Sequence, residues 1–243
     1  RYSLRARNNE FRLEQIQQGI EEAHARGKKF FLTSNLLAHN DKVRTYLRDM
    51  EPIIAMRPDA LIMADAGLIM MVRERWPEVE IHLSVQANTT NYAAVKFWQK
   101  VGVKRIILSR ELSLDEIAKI RQECPDMELE VFVHGALCIA YSGRCLLSGY
   151  FNRRDPNQGT CTNACRWNYA TQEAAVDPNT GEAMAVRMEG DFNFNKAQED
   201  DNAAFASCGG GERHPKADQV YLLEEKERPG QLMPIMEDEH GTY

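Results

Sequence analysis

The feature that most limits what this chain can fold into is an alternation running from the N-terminus to about residue 135. Short apolar runs of strand length, Lys29–Thr33, Ala60–Met63, Glu80–Val85, Lys104–Leu108 and Leu129–His134, are separated by longer stretches with apolar side chains at helical spacing. The first such stretch carries Phe11, Leu13, Ile16, Ile20 and Ala23, and others begin near Lys42, Gly67, Asn91 and Ser113. Ser113, with Asp115 and Glu116 behind it, is a helix-start signal, because carboxylates in the first turn meet the positive end of the helix dipole. Gly27 and Gly102 stand where helices should stop. A strand start every ~20–30 residues is the rhythm of βαβ units, whose right-handed crossovers build a parallel sheet.

An open doubly wound sheet and a (β/α)8 barrel share that rhythm. The residues that follow each strand favour the barrel: Ser34-Asn35, Asp65, Gln86 with Asn88, Ser109-Arg110 and His134-Gly135. Polar groups at every strand end converge on one face of a barrel, whereas an open sheet gathers ligand groups at one switch point. Eight such strands are not present, so the expected class is α/β, an incomplete (β/α)8 TIM-barrel-like domain with a cysteine-rich loop region. The chain opens on Arg1-Tyr2-Ser3-Leu4 without an initiator Met and is expected to be a fragment of a longer one. Four strand-end residues are candidate catalytic groups: His134 for acid/base work, Arg110 for a bidentate grip on a carboxylate, and Asp65 and Gln86 by position. Each also has a plain structural reading, as a cap, an ion pair of Arg110 with Glu111, or a histidine holding a loop. Arg7, Asn8 and Asn9 could join the same mouth or form a solvated helix entry.

The alternation ends near residue 137. Residues 138–171 form a Gly-, Asn- and Arg-rich region, 172–218 read as a polar insertion or flexible loop containing Gly209–Gly211, and 219–243 resume strand-like runs at Gln219–Leu223 and Leu232–Glu237. Hydrophobic residues make up 43% of the chain and charged residues 27%, a globular balance. There is no apolar run of the ~20 residues that a membrane helix requires, and the N-terminus is too polar for a signal peptide. A cytoplasmic protein without a membrane span is expected. The net charge of −6 argues against a general nucleic-acid binder, while Arg144, Arg153, Arg154 and Arg166 form a local basic cluster that argues the other way. Nucleotide-binding Gly-x-Gly-x-x-Gly and Gly-Lys-Ser/Thr motifs are missing, as are His-Glu-x-x-His and Gly-x-Ser-x-Gly.

Four of the six cysteines, Cys138, Cys145, Cys161 and Cys165, fall within that cysteine-rich region. In a reducing compartment such crowding reads as metal ligation before disulfides. Four thiolates complete either a zinc site or an iron–sulfur cluster. The spacing has neither of the tight Cys-x2-Cys knuckles usual in structural zinc sites, and its looser wrapping suits a bulky [4Fe-4S] cube better than one ion. Zinc and two disulfides remain as alternatives. Cys124, before Pro125 at a helix end, reads as packed, and Cys208 as a spare ligand at best.

Phe132-Val-His-Gly-Ala-Leu-Cys138, Ser142-Gly-Arg-Cys145-Leu-Leu-Ser148 and Gly159-Thr-Cys161 through Cys165-Arg166 resemble the signature of the collagenase-like peptidase family, whose catalytic type is unassigned. Arg1–Asn9, His82–Asn88 and Ile107–Leu112 resemble the same family, and the similarity covers about residues 1–171 and 219–243, closest to its bacterial tRNA-hydroxylating branch. The resemblance implies a [4Fe-4S] cluster on Cys138, Cys145, Cys161 and Cys165. It also implies oxygen-independent hydroxylation of a wobble uridine of tRNA to 5-hydroxyuridine, with prephenate as hydroxyl donor. Two further readings stay open: a collagenase-like hydrolase, in which Cys138 and His134 would pair, and a non-catalytic zinc- or cluster-bearing subunit that binds RNA or a homologous partner.

Overall fold

The computed structural model describes residues 2–5, 11–135, 138, 140–176, 179–180, 183–192, 220–226, 228–238 and 241–242. The chain forms two compact units, Arg1–Ala164 and Cys165–Tyr243. In the first, helices and strands alternate: α1 Leu13–Ala25, β1 Phe31–Ser34, α2 Asn40–Ala55, β2 Ala60–Met63, α3 Ala66–Arg75, β3 Ile81–Leu83, α4 Tyr92–Val101, β4 Arg105–Ile107, α5 Leu114–Glu123 and β5 Glu128–Glu130, with a short α6 at Leu147–Asn152.

The five strands pair in parallel in the order β1-β2-β3-β4-β5. A doubly wound sheet needs a point where strand order reverses, and this order has none. Right-handed crossovers between successive neighbours place every connecting helix on one face. Leu61, Met63, Ile81, Leu83 and Ile106 point to that face and pack with Leu68, Ile69, Val72, Val95 and Ile120 of the helices, all buried. Alternate strand positions face the other way. His82 lies in register with Ile62 and Arg105, and Arg105 with Glu128. His82 is buried, its Nε2 2.8 Å from Glu80 Oε1 and its ring edge-on to Phe31. Arg105 makes 2.7 and 2.9 Å bonds to Glu128.

Helix boundaries follow local chemistry. Ser113 and Glu116 form the reciprocal capping box at the start of α5. Gly102 takes φ +92 after α4, a left-handed stop that favours glycine. Cys124 ends α5 and is buried, its Sγ 3.7 Å from the Tyr92 carbonyl oxygen. The run expected as a strand through His134 stops at Glu130. As the edge strand, β5 has only β4 to pair with among the described residues, and Val131 to Gly135 are all exposed.

The second unit is antiparallel: β6 Tyr169–Val176, β7 Ala183–Phe192, β8 Val220–Glu225, β9 Leu232–Asp238 and β10 Gly241–Thr242, in the order β10-β9-β8-β6-β7. Tyr169, Leu222 and Leu223 are buried in it. The insertion or loop expected at 172–218 is therefore corrected for its first part, since 172–176 and 183–192 are ladder strands, with Val176 opposite Ala183. Their alanines and charges hide the period of two by which a strand is read. Residues 193–219, with Cys208 and Gly209–Gly211, lie outside the described residues, as do Arg7, Asn8 and Asn9. Among the described residues no helix is long and apolar enough to cross a membrane.

Candidate functional site

The polar strand ends of the first unit are joined to one another. Asn35, after β1, accepts from the Leu4 N–H at 3.2 Å and donates to Ser84 Oγ, beyond β3, at 3.1 Å. Asn88 donates to Ser109 Oγ at 3.3 Å across the next pair. Asp65 is the N-cap of α3: one carboxylate oxygen accepts from the Leu68 N–H and the other from the Ala38 N–H, both at 2.9 Å. Its oxygens thus tie α3 to the β1–α2 loop, a role in the fold. The result is a hydrogen-bonded rim along the C-terminal edge of the sheet.

Onto this rim the cysteine-bearing segment is fastened at three places. Arg110, beyond β4, donates from one guanidinium nitrogen to the Cys138 carbonyl and from the other to the Ala140 carbonyl at 3.1 Å. Its neighbour Glu111 accepts from the Ser142 N–H at 2.7 Å. Gly143 then crosses the backbone of Gln86 at φ +76, where a Cβ would collide with the Gln86 carbonyl oxygen. Near the β1 end, Leu37 N–H donates to the Asn157 carbonyl at 3.0 Å, while Gln158 and Lys42 reach the Leu37 and Gln158 carbonyls. Within the segment, buried Ser148 holds Thr162 by its N–H at 3.0 Å, which ties α6 to the stretch around Cys161.

The four expected ligands are thiols of unequal exposure: Cys138 is exposed, and Cys145, Cys161 and Cys165 are half-buried. Arg5 Nη2 lies 3.9 Å from Cys138 Sγ, and Cys161 Sγ lies 3.6 Å from Asn163 Oδ1. Cys138, Cys145 and Cys161 belong to the first unit, and Cys165 begins the second. Among the described residues no three His, Cys, Asp or Glu side chains converge closely enough for one metal ion. A tetrahedral zinc holds its thiolates at about 2.3 Å, which demands that convergence. A four-iron cluster places each thiolate on a different iron, so its ligands stand farther apart. The four thiols are soft donors of the kind that either a zinc ion or an iron–sulfur cluster takes.

The other expected site residues divide. Arg110 is central, yet its guanidinium is occupied by backbone carbonyls of the cysteine segment and so grips this loop. Gln86 lies in the short turn after β3, and its carbonyl forms the floor on which Gly143 rests. His134 is exposed and makes no hydrogen bond to Cys138 or Arg110 among the described residues. Sequence reasoning missed Glu111 and Ser142. The adjacency of Glu111 to Arg110, both just past a strand end, was the available signal.

A family model, peptidase family U32, matches residues 1–224. The chain belongs to the U32, collagenase-like family. This U32 chain is 56% identical over 243 residues to tRNA hydroxylation protein P of Escherichia coli K12, covering 100% of the chain and 51% of that protein. It is 54% identical over 249 residues to tRNA hydroxylation protein P of Haemophilus influenzae Rd, again covering 100% and 51%. The chain spans about half the length of the curated relatives it matches. A solved U32 peptidase structure is similar at TM-score 0.41 and 16% identity, covering 49% of this chain and 51% of that one.

Proposed function

We propose that this chain is the cluster-bearing part of a tRNA hydroxylase. Its parallel unit is an arc of a (β/α)8 barrel whose strand-end rim carries the cysteine segment. Cys138, Cys145, Cys161 and Cys165 hold a [4Fe-4S] cluster, the substrate is a wobble uridine of tRNA converted to 5-hydroxyuridine, and prephenate is the hydroxyl donor. The enzyme works in the cytoplasm. The observation that carries this reading is end-to-end similarity to proteins named for tRNA hydroxylation, with the cysteine segment fastened to the edge where barrel enzymes gather their chemistry. The sequential strand order supports the barrel arc, because adjacent parallel strands with one-sided helices curl toward closure.

A [4Fe-4S] cluster held there would supply a redox centre tuned by nearby hydrogen bonds and exposure. The chain's own residues supply the frame. Arg110 and Glu111 fix the backbone from Cys138 to Ser142, Gly143 permits close approach to the Gln86 turn, and Ser148 ties α6 to Thr162 beside Cys161. The test is complementation. In a bacterium lacking its own tRNA hydroxylation protein, the intact protein should restore 5-hydroxyuridine in digested tRNA, and Cys138→Ala and Cys161→Ala should not. Restoration by both cysteine variants would refute the reading.

A further inference from the structure

The stretch between Cys138 and Cys161 exposes an unusual set of side chains. From Tyr141 to Asp155 the exposed residues are Tyr141, Arg144, Leu146, Tyr150, Arg153, Arg154 and Asp155, which sets three arginines against one carboxylate. Tyr141 is 57% and Tyr150 52% exposed. They belong to one compact excursion. The Arg144 N–H closes a turn on the Tyr141 carbonyl at 2.9 Å, Tyr150 lies in α6, and the N–H groups of Arg153 and Arg154 bond back to Gly149 and Ser148.

Many other arginines in this unit are engaged, although exposed Arg57 has no ion pair among the described residues. Arg26, Arg44, Arg48, Arg75 and Arg105 pair with carboxylates. Arg73, Arg110 and Arg121 bond backbone carbonyls. Arg144, Arg153 and Arg154 have neither kind of partner among the described residues. On a chain with net charge −6, three guanidinium groups outside any ion pair among the described residues, interleaved with exposed tyrosines, make a locally basic surface.

We infer that Tyr141, Arg144, Tyr150, Arg153 and Arg154 form the surface that takes the single-stranded loop of the tRNA, the arginines on phosphates and the tyrosines stacked on unpaired bases. RNA recognition of this type combines splayed bases on aromatic rings with guanidinium contacts to the backbone. The surface lies between the first and third expected cluster ligands, so a base held there is delivered to the cysteine segment. The inference deepens the proposed function and rests on it.

The test measures binding of unmodified tRNA to the full protein, purified without oxygen, across a salt series. The triple variant Arg144→Gln/Arg153→Gln/Arg154→Gln should bind weakly, with the salt slope shallower by about two to three, close to one per lost phosphate contact. Tyr141→Ala should lose roughly tenfold in affinity with the slope unchanged. Tyr150 also packs edge-on to Phe151 at 5.2 Å, so the Tyr141 variant carries the stacking test. Arg44→Ala/Arg48→Ala, which removes exposed arginines paired with Asp41 and Asp49, should bind as the parent does. Iron content equal to the parent's shows that the variants fold. Parent-like binding by both the triple variant and Tyr141→Ala would overturn the surface and leave the hydroxylase reading standing. A parent protein that binds no tRNA would overturn both.

Discussion

Arg110 is placed by its sequence at the rim and held there by the cysteine segment. Its position after an apolar run marks it for the rim, and a guanidinium at a barrel mouth invites a carboxylate ligand. In the fold its donors are spent on the carbonyls of Cys138 and Ala140. A planar fork that meets two carbonyls cannot be replaced by an ammonium point charge. Arg110→Lys should therefore lower iron retention during anaerobic gel filtration and increase proteolytic nicking between residues 138 and 145, and Arg110→Ala should do both more strongly, at a cost of about 1–3 kcal/mol in loop docking. Unchanged nicking and iron in both variants would remove Arg110 from the loop. Gly143→Ala makes a second demand on the same segment. With φ +76 and the Gln86 carbonyl in the way, the substitution should weaken docking by about 1–3 kcal/mol, read as loss of hydrogen-exchange protection in residues 141–148. Asp65, expected by position as a candidate for chemistry, serves two backbone N–H groups, and Asp65→Ala should cost about 2 kcal/mol in urea unfolding of the first unit.

At the level of elements, helices were the most legible part. α5 begins at the Ser113 signal and α4 ends at Gly102, because caps and left-handed stops are local and need no tertiary partner. Strands were legible where both faces are buried, as in β2 and β3, and overextended at β5, where an edge leaves the backbone without a second neighbour. The β6–β7 hairpin escaped notice, although Asp177-Pro-Asn-Thr-Gly181 between two runs is turn chemistry. One element junction carries a pH signature. The Phe30 N–H bonds Asp59 at 2.7 Å and His24 approaches at 2.9 Å, which holds the Asp59 carboxyl below the usual range. A depressed carboxyl stabilises the fold above its unfolded pKa of about 3.9 and loses that contribution as pH falls through the lower folded value. The urea midpoint of the parent should fall as pH drops below about 4, and Asp59→Asn should flatten part of that fall. An unaltered slope would mean that Asp59 does not link this junction to acid unfolding.

At the scale of the molecule, the strand order goes beyond periodicity: five parallel strands in sequence have no switch point among the described residues, so their polar ends lie along one edge of the sheet. The proposal of a soft-metal site on the four cysteines comes from sequence, because crowding and residue type point to that chemistry by themselves. How they are mounted could not, since Arg110, Glu111, Gln86 and Leu37 come from strand ends far away in the chain. The measurement that tests the account most directly is iron and acid-labile sulfide analysis of protein purified without oxygen. A cluster on these thiols gives a brown protein with about four irons and four sulfides per chain, lost together in Cys138→Ala, Cys145→Ala, Cys161→Ala and Cys165→Ala. A colourless protein holding about one zinc per chain, retained when Cys165 is replaced, would contradict it.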